Sequence, residues 1–119
     1  MSHRTWKAKF GDAFRGLYHG TRGQSSFVVH FVIATAVIVA GFVFHVTMVE
    51  WCILTACIAG VVAAELFNTA LESLAKAITP EHNELVGRAL DMASAAVLVA
   101  AIGSVVIGLL IFLPHLLQR

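Results

Sequence analysis

An apolar run begins at Trp51 and continues to Ala77, and its second half carries a stripe of polar side chains within Gly60-Val-Val-Ala-Ala-Glu65-Leu-Phe-Asn68-Thr69-Ala-Leu-Glu72-Ser-Leu-Ala-Lys76. In a helix, Glu65, Asn68, Thr69, Glu72 and Lys76 fall on one face. Counted from Trp51 at one interface, Glu65 lies about 20 Å along the axis and Glu72 about 30 Å. That sets Glu65 within the hydrocarbon and Glu72 close to the opposite headgroups. A carboxylate at such depth costs about 2.5–3.5 kcal/mol even on a lenient insertion scale, which makes it a functional-site candidate. The alternative is a structural hydrogen-bond cluster that holds helices together.

The rest of the chain agrees with a membrane setting. Its 119 residues make one domain, and with 59% hydrophobic and 13% charged residues it is too apolar for an ordinary soluble one. The net charge of +1 excludes little, but Arg4, Lys7, Lys9, Arg15 and Arg22 are five of the eight basic residues and all precede the first apolar run. No cleavable signal and no nucleic-acid partner are expected. Cys52 and Cys57, five apart on a helix, point different ways and read as packing residues rather than a bridge or a metal pair. No Walker-type glycine loop occurs.

Taken in order, the pattern predicts an all-α integral membrane protein with a surface helix and three spans. Residues 1–23 set Trp6, Phe10, Phe14 and Leu17 at helical spacing against Lys7, Lys9, Asp12 and Arg15, as in a helix lying in the membrane surface. Glycines at 16, 20 and 23 then suggest a flexible connector. The first span covers 26–46, with His30 a turn inside the near end, where a hydrogen-bonded core histidine is the ordinary reading. A short turn over 46–50 forces an antiparallel hairpin into the second span, 51–77. Residues 78–91 form a polar loop and the approach to the third span, 92–113, ended by Pro114. Ala96, Ala100, Ser104 and Gly108 make a small-residue ridge suited to helix packing or oligomer contact. The N-terminal segment and the 78–91 loop, with Lys76 just before it, hold seven of the eight Lys and Arg. The positive-inside rule therefore makes both cytoplasmic and the C-terminus external.

The acidic stripe thus ends where cytosolic ligands reach it. Glu72 suits Mg²⁺ on a nucleotide. Glu65, deeper, suits proton transfer from a lipid hydroxyl, with Asn68 orienting either group. Together they describe phosphoryl transfer at a membrane surface.

Glu65-Leu-Phe-Asn68-Thr-Ala-Leu-Glu72, followed by Gly87-Arg88-Ala-Leu-Asp91-Met-Ala-Ser-Ala-Ala-Val, resembles the prokaryotic diacylglycerol kinase and undecaprenol kinase family from about Phe10 to Leu116. The resemblance implies a homotrimer in the bacterial inner membrane, with sites shared between subunits, using MgATP to phosphorylate a membrane lipid alcohol. It implies that Glu65 is the catalytic base and Asn68 its partner, that Glu72 is a metal ligand, and that Asp91 is an acid at the nucleotide site. Arg15-Gly16 matches a basic-Gly pair near the nucleotide, Glu81 a position near its base or sugar, and Phe27 the aromatic of an Asn-Glu-x-x-Phe segment. Three positions depart from the pattern. Gln24 stands for a second metal-binding Glu, Leu90 for a Lys expected at the phosphates, and Lys76 for an acid one turn past Glu72. Lys76 either supplies from helix two the charge missing at 90 or snorkels to anionic headgroups. The runner-up reading is a non-catalytic relative, structural or regulatory, that has lost MgATP; a small transporter or channel subunit comes third. His30, Glu50-Trp51 and Gly108-Leu-Leu-Ile-Phe-Leu-Pro114 look more like the undecaprenol branch than the diacylglycerol branch.

Overall fold

The computed structural model describes residues 5–21 and 25–118, all helical apart from short connections. Four helices follow in order: α1 (Trp6–Thr21), α2 (Ser25–Val43), α3 (Met48–Ile78) and α4 (Glu84–Leu117). α3 and α4 form a long hairpin, and α2 and α1 each pack against α3. At 31 and 34 residues, α3 and α4 are long and apolar enough to cross a membrane, while the apolar helix over Phe27–Val43 is shorter. Hardly any of this surface is covered. Phe31, Phe67 and Leu110 are 73%, 73% and 70% exposed, and no large side chain among the described residues is fully buried. Apolar surface on that scale is stable against lipid or other copies of the chain rather than against water.

Each helix end has a local cause. α2 closes with Val46 N–H bonding Gly41 C=O (3.2 Å) and His45 N–H bonding Phe42 C=O (3.4 Å), while His45 takes the left-handed φ of 53°. This is a Schellman closure with histidine where glycine is usual. α3 opens with a capping box: Thr47 Oγ1 accepts from Glu50 N–H (3.1 Å) and Glu50 Oε1 accepts from Thr47 N–H (2.9 Å). The helix therefore starts at Met48, three residues before the apolar run that begins at Trp51. α4 opens on Asn83, whose Oδ1 accepts from Val86 N–H (3.1 Å), with Arg88 bonding Glu84 (2.9 Å) one turn on.

Three helix ends differ from the limits of the segments read from hydropathy. The 78–91 segment is a loop only to Asn83, and Asp91 sits on the third turn of α4. Pro114 does not end the last helix, which runs one more turn to Leu117, with Gln118 N–H bonding Pro114 C=O (3.1 Å). A proline lacks one donor, and so near a C-terminus an extra turn remains possible. α1 also continues through Gly16 and Gly20 to Thr21, where a flexible connector is expected. Thr21 Oγ1 donates back to Leu17 C=O (2.8 Å), and the helix stays close to α3 because Gly20 faces Leu66.

At the α2–α3 turn a small core forms from Val46, Leu54 and Ile111, flanked by Val37, Phe44, Trp51, Ile107 and Phe112. His115 Nε2 lies 3.1 Å from Glu50 Oε1 and ties the end of α4 to the start of α3. The Trp51 ring packs on Phe42 and directly over Gly41, where an added Cβ would lie 2.4 Å from the ring. At Gly20 the corresponding contact, 2.7 Å, is with the flexible tip of Leu66. Gly41→Ala is therefore expected to destabilise the fold by about 1–3 kcal/mol, and Gly20→Ala by clearly less. Thermal melting of the two variants in the same detergent checks this; equal midpoints would show that the Trp51 ring has room to turn.

Candidate active site

The polar stripe of α3 stays on one face, and most of it turns inward. Glu65, Asn68 and Thr69 are the only buried polar residues among those described, and Glu65 is 6% exposed. Each finds a place because a neighbouring helix brings a polar or small group to the same level. α2 delivers His30, whose Nε2 lies 3.0 Å from Glu65 Oε2. α4 delivers Ser94, whose hydroxyl donates to Asn68 Oδ1 at 3.5 Å. The amide of Asn68 in turn donates to Glu72 Oε1 at 3.3 Å. Acceptance from Ser94 and donation to Glu72 together fix which way the Asn68 amide faces. Among the described residues no buried side-chain polar atom lacks a partner.

From Met48, the observed start of α3, Glu65 lies about 26 Å along the axis and Glu72 about 36 Å. α1 packs alongside this stretch, lining with Ala63, Leu66, Phe67, Thr69, Ala70 and Ser73 a groove that also holds Gly16 and Gly20. Glu65 thus stands at the level where α2 begins and α1 lies against α3, and Glu72 about two turns further out. Glu72 and Lys76 are exposed. They line a cleft of ≈ 430 Å³ under the α3–α4 connection, together with Glu81, Asn83, Gly87 and Leu90.

Within one chain the structure brings together Glu65 with His30, Asn68 with Glu72 and Ser94, and Lys76 with Glu72, Glu81 and Leu90 around one cleft. It does not bring Arg15, Gly16 or Asp91 into that cleft. Arg15 is exposed and pairs with Asp12 on its own helix, Gly16 lies in the α1–α3 groove, and Asp91 is exposed on α4. Gln24 lies outside the described residues. No group of three or more His, Cys, Asp or Glu among the described residues stands ready as a metal cage. A single carboxylate such as Glu72 is nonetheless what Mg²⁺ uses when a nucleotide supplies its other ligands.

His30 and Ser94 are the residues that sequence reasoning did not assign to the site. His30 had one signal, an ionisable residue inside an apolar run. Ser94 had none beyond its place in the Met-Ala-Ser block, since helix register decides which serine meets Asn68.

Residues 11–112 match the family profile described as prokaryotic diacylglycerol kinase. The chain is 41% identical over 107 residues to the undecaprenol kinase of Bacillus subtilis, covering 90% of this chain and 87% of that protein. It is 36% identical over 112 residues to the diacylglycerol kinase of Synechocystis, covering 92% of this chain and 63% of that protein. A shorter match, 42% over 55 residues, links it to the Escherichia coli diacylglycerol kinase across 46% of this chain and 45% of that protein.

Proposed function

The chain belongs to the prokaryotic diacylglycerol kinase family and is a lipid kinase of the bacterial membrane, and from that premise we propose that it transfers the γ-phosphate of MgATP to the hydroxyl of a long-chain lipid alcohol, with Glu65 as general base. The observation that carries this reading is the buried carboxylate of Glu65 on the same helix face as the hydrogen-bonded pair Asn68 and Glu72, a face that leads out to an open, charged cleft. The stripe joins an apolar setting, where the lipid hydroxyl arrives, to a hydrated one, where nucleotide phosphates arrive.

In this scheme Glu65 takes the hydroxyl proton as the lipid oxygen forms its bond to the γ-phosphorus. The bond from that phosphorus to the bridging oxygen breaks, and ADP leaves with the electron pair. Asn68 holds Glu72 in place through its amide. Glu72 is the Mg²⁺ ligand, with Gln24 as a neutral second ligand, and the metal supplies charge neutralisation to the phosphates when bound. Lys76 and Glu81 contact the nucleotide from the cleft walls; Asp91, Arg15 and Gly16 do so from a neighbouring copy. That last assignment is why we propose a homotrimer. In one chain these residues do not line the cleft with Glu72, and the uncovered apolar surface has room for partner helices. Undecaprenol is the favoured lipid, supported by similarity to an undecaprenol kinase along nearly the whole chain.

We further propose that α2 is a third span, its 19 residues covering about 28 Å, and that α1 lies in the cytoplasmic surface with exposed Trp6, Phe10 and Phe14 in the lipid. The basic N-terminal segment and the α3–α4 connection then face the cytoplasm, and the Glu50–His115 tie faces outward.

Glu65→Gln preserves shape but cannot accept the proton, so turnover should fall by roughly 10²–10⁴ with folding intact. The assay is ATP-dependent phosphorylation of a panel containing undecaprenol and diacylglycerol by the purified protein. Near-normal turnover by the Gln variant at saturating substrates would make Glu65 structural.

Lys76 and Leu90 line the same cleft from opposite helices, which suits a cation moved from position 90 to position 76. Lys76→Ala should raise the ATP KM or lower kcat by roughly tenfold or more, and Lys76→Asp combined with Leu90→Lys should recover much of the loss. Normal ATP kinetics in Lys76→Ala would return Lys76 to the headgroups.

A further inference from the structure

Among the described residues, His30 reaches the buried carboxylate of Glu65 from another helix. Its Nε2 stands 3.0 Å from Glu65 Oε2, and the two side chains are 20% and 7% exposed. We propose that His30 is the positioning residue for the base, its Nε2–H holding Oε2 of Glu65 so that the carboxylate meets the lipid hydroxyl in a single orientation. This rests on the reading of Glu65 as the base.

The first argument is geometric. Glu65 hangs from α3 by a flexible stem, and a proton acceptor works only when its oxygen lies within hydrogen-bond reach of the hydroxyl at a usable angle. A donor mounted on a separate helix restricts that stem far more than one on α3 itself, provided that the second helix is anchored. α2 is anchored where this matters: Phe27, one turn before His30, is 4% exposed. His30 also borders an interhelical cavity of ≈ 210 Å³ lined mostly by apolar residues of all three long helices, among them Ile33, Val61 and Val105, with Cys57 and Ser104 as the less apolar members. On that side the ring meets a mostly apolar lining, so its hydrogen bond to Glu65 has little polar competition.

The second argument is chemical. A Lys or Arg at this position would set a permanent positive charge beside Glu65, which favours the ionised carboxylate and weakens it as a proton acceptor. A neutral imidazole donates the same hydrogen bond without that charge. Histidine is therefore suited to orienting a base that must stay basic.

The test uses the full-length protein in lipid-containing detergent with MgATP and undecaprenol, and compares His30→Ala, His30→Phe, His30→Gln, Glu65→Gln and the double variant His30→Ala with Glu65→Gln. Phe keeps the ring volume without the donor; the Gln amide nitrogen reaches nearly as far as Nε2. Expected are kcat losses of roughly tenfold or more in both His30→Ala and His30→Phe, an ATP KM within about twofold of the parent, and recovery of most of the rate in His30→Gln. The double variant should be no slower than Glu65→Gln alone, because a residue acting through Glu65 has nothing left to position. Parent-like kcat in His30→Phe alongside a slow Glu65→Gln overturns the positioning role and leaves the base reading intact. Losses that add in the double variant, or equal losses in His30→Gln and His30→Phe with lowered melting points, also overturn it, making His30 an independent or purely structural tie. An active Glu65→Gln removes the base itself and the inference with it.

Discussion

A polar group among apolar side chains must find its partner inside the protein, because lipid offers none and an unsatisfied group costs several kcal/mol. α3 carries most such groups in this chain, and the other long helices are placed by what they offer it. α2 meets Glu65 through His30, and α4 meets Asn68 through Ser94 and Glu50 through His115. The two α4 contacts lie about five turns apart along α3, so they fix axial register as well as proximity. Sliding α4 by one turn would part Ser94 from Asn68 and His115 from Glu50 together. Apolar packing alone, with its broad tolerance for shifted contacts, specifies register far less sharply.

The two ends of the molecule are held differently. Near the α2–α3 turn, Val46, Leu54 and Ile111 make a true if small core, and the capping box and the His115 contact secure the helix starts and stops around it. Near Glu65 the buried apolar side chains among those described are Phe27 and Val61, and polar contacts join the helices there. Beyond that level, Glu72 and Lys76 are exposed, and a region with few buried contacts is one that can admit a ligand. The α3–α4 hairpin also extends past the start of α2, so its last turns stand clear of the other long helix and present Glu72 and Lys76 to an open cleft.

Sequence periodicity made the polar face of α3 legible because that face depends only on the geometry of one helix. It also located the hairpin between α2 and α3, since the polar interruption there is short. It failed at helix ends governed by side-chain caps rather than by hydropathy. Asn83 starts α4 two turns before the apolar run, so where the 78–91 loop gives way to helix could not be read from hydropathy. Pro114 looked like a stop, yet the helix continues past it and carries His115 to Glu50. His30 stood out as an ionisable residue, but its partner could not be read from one chain position. Pairing across helices depends on their relative rotation and register, which no local pattern encodes.

The departures from the family pattern divide along a physical line. A carboxylate that accepts a proton works through one oxygen at bonding distance, so on the proposed reading Glu65 and its neighbours Asn68 and Glu72 have little freedom to move to other positions. Charge presented to a triphosphate acts through a field that varies smoothly over several ångströms, and a Lys ammonium on its four-carbon stem reaches about 6 Å from its Cα. What matters there is which cleft the cation enters, not which helix supplies it. Positions 76 and 90 open into one cleft from opposite sides. A lysine at 76 with a leucine at 90 can therefore keep the same charge near the same ligand, whereas an equal displacement of the base would leave it unable to touch the hydroxyl.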